Sequence, residues 1–161
     1  MKNILKFKKF KSSLIIVTLF ALFYTNFSVF ANFELTPDET EVFTLVNEAR
    51  TEQGLPPYEI SSELVELARR KAEDMVANGY FAHHSPTYGS PFDMMKDYGV
   101  FYNSAGENLA ENRTIAGAHT ALMQSDSHRA NILSRRFNQI GIGVTNGPGE
   151  FRTIVQMFIE Q

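Results

Sequence analysis

The sequence predicts an α+β layered domain with an antiparallel sheet. Two patterns carry that prediction. After residue 31, apolar residues first recur at helical spacing, and the last third of the chain then alternates at the period of two that strands require. Helices precede strands, without the βαβ alternation of a parallel sheet. No repeat, low-complexity stretch or second domain is visible, and the length suits one globular domain.

Each element has a local reason. Thr36-Pro37-Asp38-Glu39 reads as a capping box with proline at the first helical position, and Val42, Leu45, Val46 and Ala49 follow at helical spacing until Gly54 and Pro56-Pro57. A second helix begins near Ser61, buries Leu64, Leu67, Ala68 and Met75, and ends at Asn78-Gly79. Arg69-Arg70-Lys71 on that helix, beside Glu66, Glu73 and Asp74, reads as a solvated, salt-bridged face. Ser90-Pro91-Phe92-Asp93 starts a short third helix that Gly99 ends; Phe92, Met94, Met95, Tyr98, Phe101 and Tyr102 around it read as core, with an apolar groove as the alternative. A fourth helical segment spans about Thr114 to Gln124 and contains His119, read as structural or exposed. Ser127 is expected to cap a fifth, running to about Ser134. Residues 139–144 and 151–158 read as strands joined by the hairpin turn Asn146-Gly147-Pro148-Gly149.

The N-terminus carries an address. Lys2, Lys6, Lys8, Lys9 and Lys11 precede an apolar run from Leu14 to Phe23, and Val29-Phe30-Ala31 offers the small residues of a cleavage site. Residues 1–31 therefore read as a secretory signal peptide, with an uncleaved membrane anchor as the alternative, and 32–161 as the mature domain. Removing the signal leaves ten Lys and Arg against eighteen Asp and Glu, a formal charge of −8. Such a surface repels nucleic acid and anionic lipid, so the membrane is a partner only through the N-terminal segment if it stays uncleaved. There is no cysteine, which excludes disulfides, thiolate metal sites and cysteine nucleophiles.

Chemistry concentrates at Ser125-Asp126-Ser127-His128-Arg129-Ala130-Asn131. An imidazole at the positive end of a helix is disfavoured as imidazolium, and a neutral ring can ligate a metal or accept a proton. His83 or His84, in the loop after the second helix, and Glu107, between small residues and an Asn, are the other candidates. Their spacing matches no local metal motif, so three separate structural roles remain the alternative to a shared site.

The ordered motifs "FAHHSP", "GENLA", "SDSHRANIL", "IGIGV" and "TIVQMF", with "NEARTEQGLPPY" before them, resemble the CAP superfamily of cysteine-rich secretory, antigen 5 and pathogenesis-related 1 proteins, in its bacterial secreted branch. The resemblance runs from about Thr36 to Phe158. It implies a three-layer α-β-α sandwich with a central antiparallel sheet and a cleft holding two histidines and two acids. Carried over by position, the histidines are His83 and His128 and the first acid is Glu107, with His84 able to substitute or assist. The second acidic position falls on Ser125, as is common in bacterial members; Asp126 is one residue out of register, and Leu122 stands where a tryptophan is often found.

Two imidazoles and a carboxylate match the ligand count of a catalytic zinc site, so His83, His128 and Glu107 are candidate ligands for Zn2+ or another divalent metal. If Glu107 is a ligand, no general base for hydrolysis can be named, and Ser125, Ser127 and His128 lack the elbow and orienting acid of a serine hydrolase. The leading expectation is a secreted, non-catalytic binding protein for an extracellular lipid, envelope component or protein. The alternatives are a metal-dependent hydrolase of peptide or envelope material, with Glu107 catalytic, and an envelope or spore-layer component without a small ligand. Asn108, Arg129 and Asn131 are expected to be scaffold.

Overall fold

The computed structural model describes residues 33–161. The segment read as a signal peptide, residues 1–31, lies outside the described residues. The elements are α1 (Pro37–Glu52), β1 (Glu59–Ile60), α2 (Ser62–Asn78), α3 (Pro91–Asp97), β2 (Ser104–Asn112), α4 (Ile115–Gln124), α5 (Asp126–Ile132), β3 (Gln139–Asn146) and β4 (Arg152–Glu160). Among the described residues no helix is long and apolar enough to cross a membrane.

The helix starts form as the sequence requires. Thr36 accepts from the Glu39 N–H at 3.3 Å while the Glu39 carboxylate accepts from the Thr36 N–H at 2.8 Å, which satisfies two donors that helix geometry leaves unpaired. Ser90 and Asp93 make the same reciprocal box at α3. The fifth helix departs from expectation. Ser125, not Ser127, occupies the N-cap, and its hydroxyl makes no bond to the helix backbone.

The sheet order is β1-β3-β4-β2. The three long strands are antiparallel, and the two-residue β1 adds a parallel edge to β3. Helices cover both faces. Ile140, Ile142, Ile154 and Phe158 point into one core with Val42 and Val46 of α1 and Leu122 of α4, while Val155, Met157 and Leu109 point into the other with Leu64, Leu67, Ala68 and Met75 of α2 and Met94 and Met95 of α3. Each fully buried aliphatic side chain contributes about 1.5–3 kcal/mol of transfer free energy to these two layers.

Two glycines set the spacing of the second layer. A Cβ on Gly141 would lie 2.2 Å from Leu64, and one on Gly143 2.2 Å from the backbone of Ala68. The α2 backbone therefore rests directly on β3, closer than any side chain on that strand would permit.

The basic run on α2 is not one solvated face. Arg69 pairs with the buried Glu39 at 2.6 Å and Arg70 with Glu66 at 2.7 Å, but Lys71 is 1% exposed. It faces inward because it continues the stripe of Leu64, Leu67 and Ala68 one turn on.

Candidate functional site

The site forms at the free edge of β2, where the two helical layers meet. From one layer comes the loop after α2. Gly79 ends the helix in the left-handed conformation at φ 66°, and the chain then runs to Ser90 without helix or long strand while carrying His83. Buried polar groups hold it. The Lys71 ammonium donates to the His83 carbonyl at 2.8 Å and to the Tyr80 hydroxyl at 3.3 Å. Asp74 accepts from Ser85 and Thr87, both at 2.6 Å, from Asn78 at 2.8 Å and from the Tyr80 hydroxyl. Burial alone would raise the Asp74 pKa, but the bonds from Ser85, Thr87 and Tyr80 outweigh it and hold the carboxyl below its usual range. Burial and the Asp74 hydrogen bond push the Tyr80 phenol up to about 12. Burial lowers the Lys71 pKa, opposed by the charges of Glu107 and Asp74.

Glu107 projects from β2 onto the same side. Its Oε1 lies 2.7 Å from Nδ1 of His83. The carboxylate side chain is 2% exposed and the imidazole 58%, so a buried acid stands behind an accessible ring. Burial raises the Glu107 pKa, opposed by the His83 hydrogen bond and by the charges of Lys71 and His83. Its other oxygen, Oε2, is buried and has no hydrogen-bond partner.

The second imidazole arrives from the opposite layer. Ser125 ends α4 and begins α5 in one extended residue, and its hydroxyl sits 2.9 Å from Nδ1 of His128. It supports the ring in place of capping the helix. Asn108 donates to the His128 carbonyl at 3.1 Å and Asn131 to the Asn108 amide oxygen at 2.9 Å, so adjacent β2 residues, Glu107 and Asn108, serve opposite sides of the cleft. The C-terminal end of α5 is held by Arg50 of α1, which donates to the carbonyls of Ile132 and Ser134, both at 2.8 Å, and by the Tyr58 hydroxyl, which donates to the Asn131 carbonyl at 2.8 Å. Burial lowers the His128 pKa, and the neighbouring His83 lowers it further, which makes the neutral ring the favoured form.

The structure thus brings His83, Glu107 and His128 to one edge, with Ser125 behind the second ring. His84 is exposed beside them. His83, His84, Phe92, Glu107 and Asn131 line a cavity of about 420 Å³. Of the aromatic and methionine run around α3, Met94 and Met95 are core, Phe92 lines this cleft at 46% exposure, and Tyr98 and Phe101 lie on the surface at 46% and 82%. Ser127 lies inside α5, 3.3 Å from the Ser125 hydroxyl, and the Asp126 carboxylate points to solvent, where it pairs with Arg129. Leu122 is buried core. Asn108, Arg129 and Asn131 do act as scaffold, each bonded to backbone carbonyls around the cleft.

Among the described residues, no three His, Cys, Asp or Glu side chains are grouped so as to hold a metal ion. Glu107 and the two histidines therefore do not form a three-ligand set here, because the carboxylate faces His83 Nδ1. The donors that remain available are the two Nε2 atoms, neither of which takes part in the hydrogen bonds made by the rings.

The sequence profile of CAP, the cysteine-rich secretory protein family, matches residues 43–158. The chain belongs to the CAP family. Its CAP domain is 45% identical over 120 residues to the uncharacterized protein YkwD of Bacillus subtilis (strain 168), an alignment that covers 74% of this chain and 47% of YkwD. Among solved structures it is similar to an extracellular protein containing an SCP domain from Bacillus anthracis str. Ames, with 29% identity and a TM-score of 0.71 over 80% of this chain and 45% of that one. The fold is shared with an outer surface protein from Borrelia burgdorferi, with 20% identity and a TM-score of 0.73 over 80% of this chain and 96% of that one. The chain spans under half the length of the Bacillus proteins it matches. The three-layer arrangement expected of a CAP domain is the one observed.

The sequence reading places Lys71 and Asp74 on a solvated face and gives Arg50 no role, yet these three residues fix the two sides of the cleft. A signal existed for two of them. Lys71 stands seven residues after Leu64, and Asp74 seven after Leu67, so both lie on the apolar stripe of α2. A charge on such a stripe needs buried partners, and the polar residues of the following loop supply them.

Proposed function

We propose that this CAP domain is an extracellular, non-catalytic binding module whose cleft presents two imidazoles capable of holding a divalent ion. The observation that carries this reading is the pairing of Glu107 Oε1 with His83 Nδ1 at 2.7 Å. A carboxylate behind the Nδ1 of a histidine fixes the ring's tautomer and leaves Nε2 as the free nitrogen, the arrangement that supports a histidine ligand. The same pairing leaves Glu107 orienting a ring, and not acting as the free general base that a hydrolase requires. Zinc or another divalent ion on the Nε2 atoms of His83 and His128 would supply Lewis acidity toward a bound ligand. The basic-then-apolar N-terminus and the similarity to a Bacillus anthracis protein described as extracellular support the location.

A calorimetric zinc titration of the full chain, beside His83→Ala and His128→Ala, tests the metal-capable pair. The expected result is stoichiometric binding that both substitutions abolish and that weakens as the histidines protonate. Folded wild type that takes up no zinc, or binding that survives both substitutions, overturns it. A steady hydrolytic turnover of peptide or envelope material that Glu107→Gln reduces by orders of magnitude would overturn the non-catalytic reading.

A further inference from the structure

A second cavity lies at the C-terminal end of α2. Val76 and Gly79 of that end, Tyr80 and Phe81 just beyond it, Glu111 of β2 and Pro148 of the turn between β3 and β4 enclose about 220 Å³, and none of them lines the cleft. The accessible wall is apolar: Phe81 is 46% exposed, Pro148 is exposed, and Val76 and Tyr80 are half-buried. The charge at its mouth is negative. Alternation along β2 puts Glu111 on the face of Leu109, toward α2, and Glu111 Oε1 accepts at 3.1 Å from Thr153, its partner in register on β4. That bond holds the carboxylate on this face. Glu111 is exposed, and among the described residues no Lys or Arg lies within ion-pair distance of it. Arg113, the nearest basic residue in sequence, stands over the Phe151 ring, 5.7 Å from its centre. Helix α2 contributes in the same sense: it ends here with no basic residue in its last turn, so no side chain offsets the negative pole of its dipole. Residues 32–161 carry a formal charge of −8, which raises the local concentration of cations and lowers that of anions.

We propose that this cavity takes a lysine side chain of a partner polypeptide, with its aliphatic stem along Phe81 and Pro148 and its ammonium on the Glu111 carboxylate. The chemistry selects that occupant. A hydrocarbon stem suits the accessible apolar wall, and the carboxylate and the helix pole both favour a cation at its tip. The same two groups repel an acidic segment, and a cavity of about 220 Å³ holds one unbranched side chain, not a folded element. The Phe81 ring adds apolar contact and attraction for the ammonium. The site is independent of any ion held in the cleft.

The test titrates Nα-acetyl-lysine N-methylamide, and the same derivative of norleucine as its uncharged counterpart, into the 15N-labelled full chain. Amide shifts of Gly79, Phe81 and Glu111 report this cavity, and those of Gly106 and Asn131 report the cleft. The lysine probe is expected to shift the first set with about threefold tighter affinity than the norleucine probe, or better, and to leave the second set unmoved. Raising NaCl from about 20 mM to about 0.5 M should remove that preference. Glu111→Gln, at an exposed position, should make the two probes bind about equally, and Phe81→Ala, exposed and outside both cores, should weaken both. Equal affinities in wild type at low salt, a lysine preference that persists in Glu111→Gln, or shifts confined to Gly106 and Asn131 would overturn the proposal. So would the absence of shifts at Gly79, Phe81 and Glu111 up to about 50 mM probe, well above the millimolar range expected of one anchored side chain. The zinc titration at His83 and His128 stands apart from each of these outcomes.

Discussion

Two buried cations hold the two sides of the cleft, and they do so differently. Arg50 of α1 secures α5, and with it His128, through the backbone carbonyls of Ile132 and Ser134, and also donates to the Pro56 carbonyl in the loop after α1. Its guanidinium lies 3.5 Å from the centre of the Tyr58 ring and forms no ion pair with a carboxylate among the described residues. Lys71 of α2 secures the loop that carries His83 through one carbonyl and one phenol, with Asp74 and Glu107 supplying negative charge nearby. The planar fork of arginine suits several fixed acceptors at once, and the compact ammonium of lysine suits a site already balanced by carboxylates. The His128 side is therefore a neutral hydrogen-bonded scaffold around one permanent charge, and the His83 side is a cluster of coupled charges. Each side should fail independently of the other.

The largest effect is expected from Arg50→Met. It removes three hydrogen bonds, leaving the Ile132 and Pro56 carbonyls without the Arg50 donor and Ser134 with only the Tyr58 hydroxyl at 3.3 Å, and should destabilise the domain by about 3–4 kcal/mol in urea unfolding. In the folded population, amide shifts of α5 should change while those of residues 80–88 do not. Arg50→Lys should recover only part of the loss, because one ammonium cannot reproduce the fork. Lys71→Met comes next, at about 2–3 kcal/mol, with the pattern of shifts reversed: the loop around His83 responds and α5 stays unchanged. If both substitutions perturb both sides equally, the cleft is one cooperative unit and the division drawn here is wrong.

Gly143→Ala reaches the same division through the sheet. The added methyl meets the backbone of Ala68 at 2.2 Å, so α2 must move away from β3. Overpacking of this kind destabilises by about 1–3 kcal/mol. Because Lys71 and Asp74 ride on α2, the His83 side should be displaced and the orienting contact with Glu107 loosened, while α5, on the opposite face, keeps its position. A double-mutant cycle with Lys71→Met should be non-additive, and one with Arg50→Met additive within about 0.5 kcal/mol.

The same asymmetry explains how much was legible in the sequence. Four helix boundaries were readable because Thr36, Ser61, Ser90 and Thr114 all accept the hydrogen bonds their positions imply. The family motifs led to His83, Glu107 and His128. Strand β2 was not readable: Ser104-Ala105-Gly106-Glu107-Asn108-Leu109-Ala110-Glu111-Asn112 is rich in residues that strands disfavour, and it is extended because nine residue pairs tie it to β4. The misplaced cap has a similar cause. Ser125 and Ser127 are equivalent as local signals, and Ser125 wins through α4, which ends at the same residue and turns its hydroxyl toward the His128 ring. The role of Arg50 lay beyond local reading because its contacts are long-range: it meets Ser134 across 84 positions of chain.

The smallest effect separates the two sides by pH. Burial holds His128 and His119 below the ordinary imidazole value of 6.5, so as pH falls the unfolded chain takes up protons before the folded one does. Stability from these groups is complete above 6.5 and is lost as pH drops through that value toward their folded pKa. Glu107 acts oppositely. Burial raises its pKa above 4.5, so over the window just above that value the folded state binds the proton first and stability rises as pH falls. Asp74, held below 3.8, adds its own loss only once pH falls below that value. Urea midpoints measured from pH 7.5 down to pH 3 should therefore fall, flatten and fall again. His119→Gln and His128→Gln should each shallow the first decline and leave the second unchanged, while Asp74→Asn should remove much of the second without altering the first. A first decline that survives both histidine substitutions would place the acid sensitivity outside these two rings.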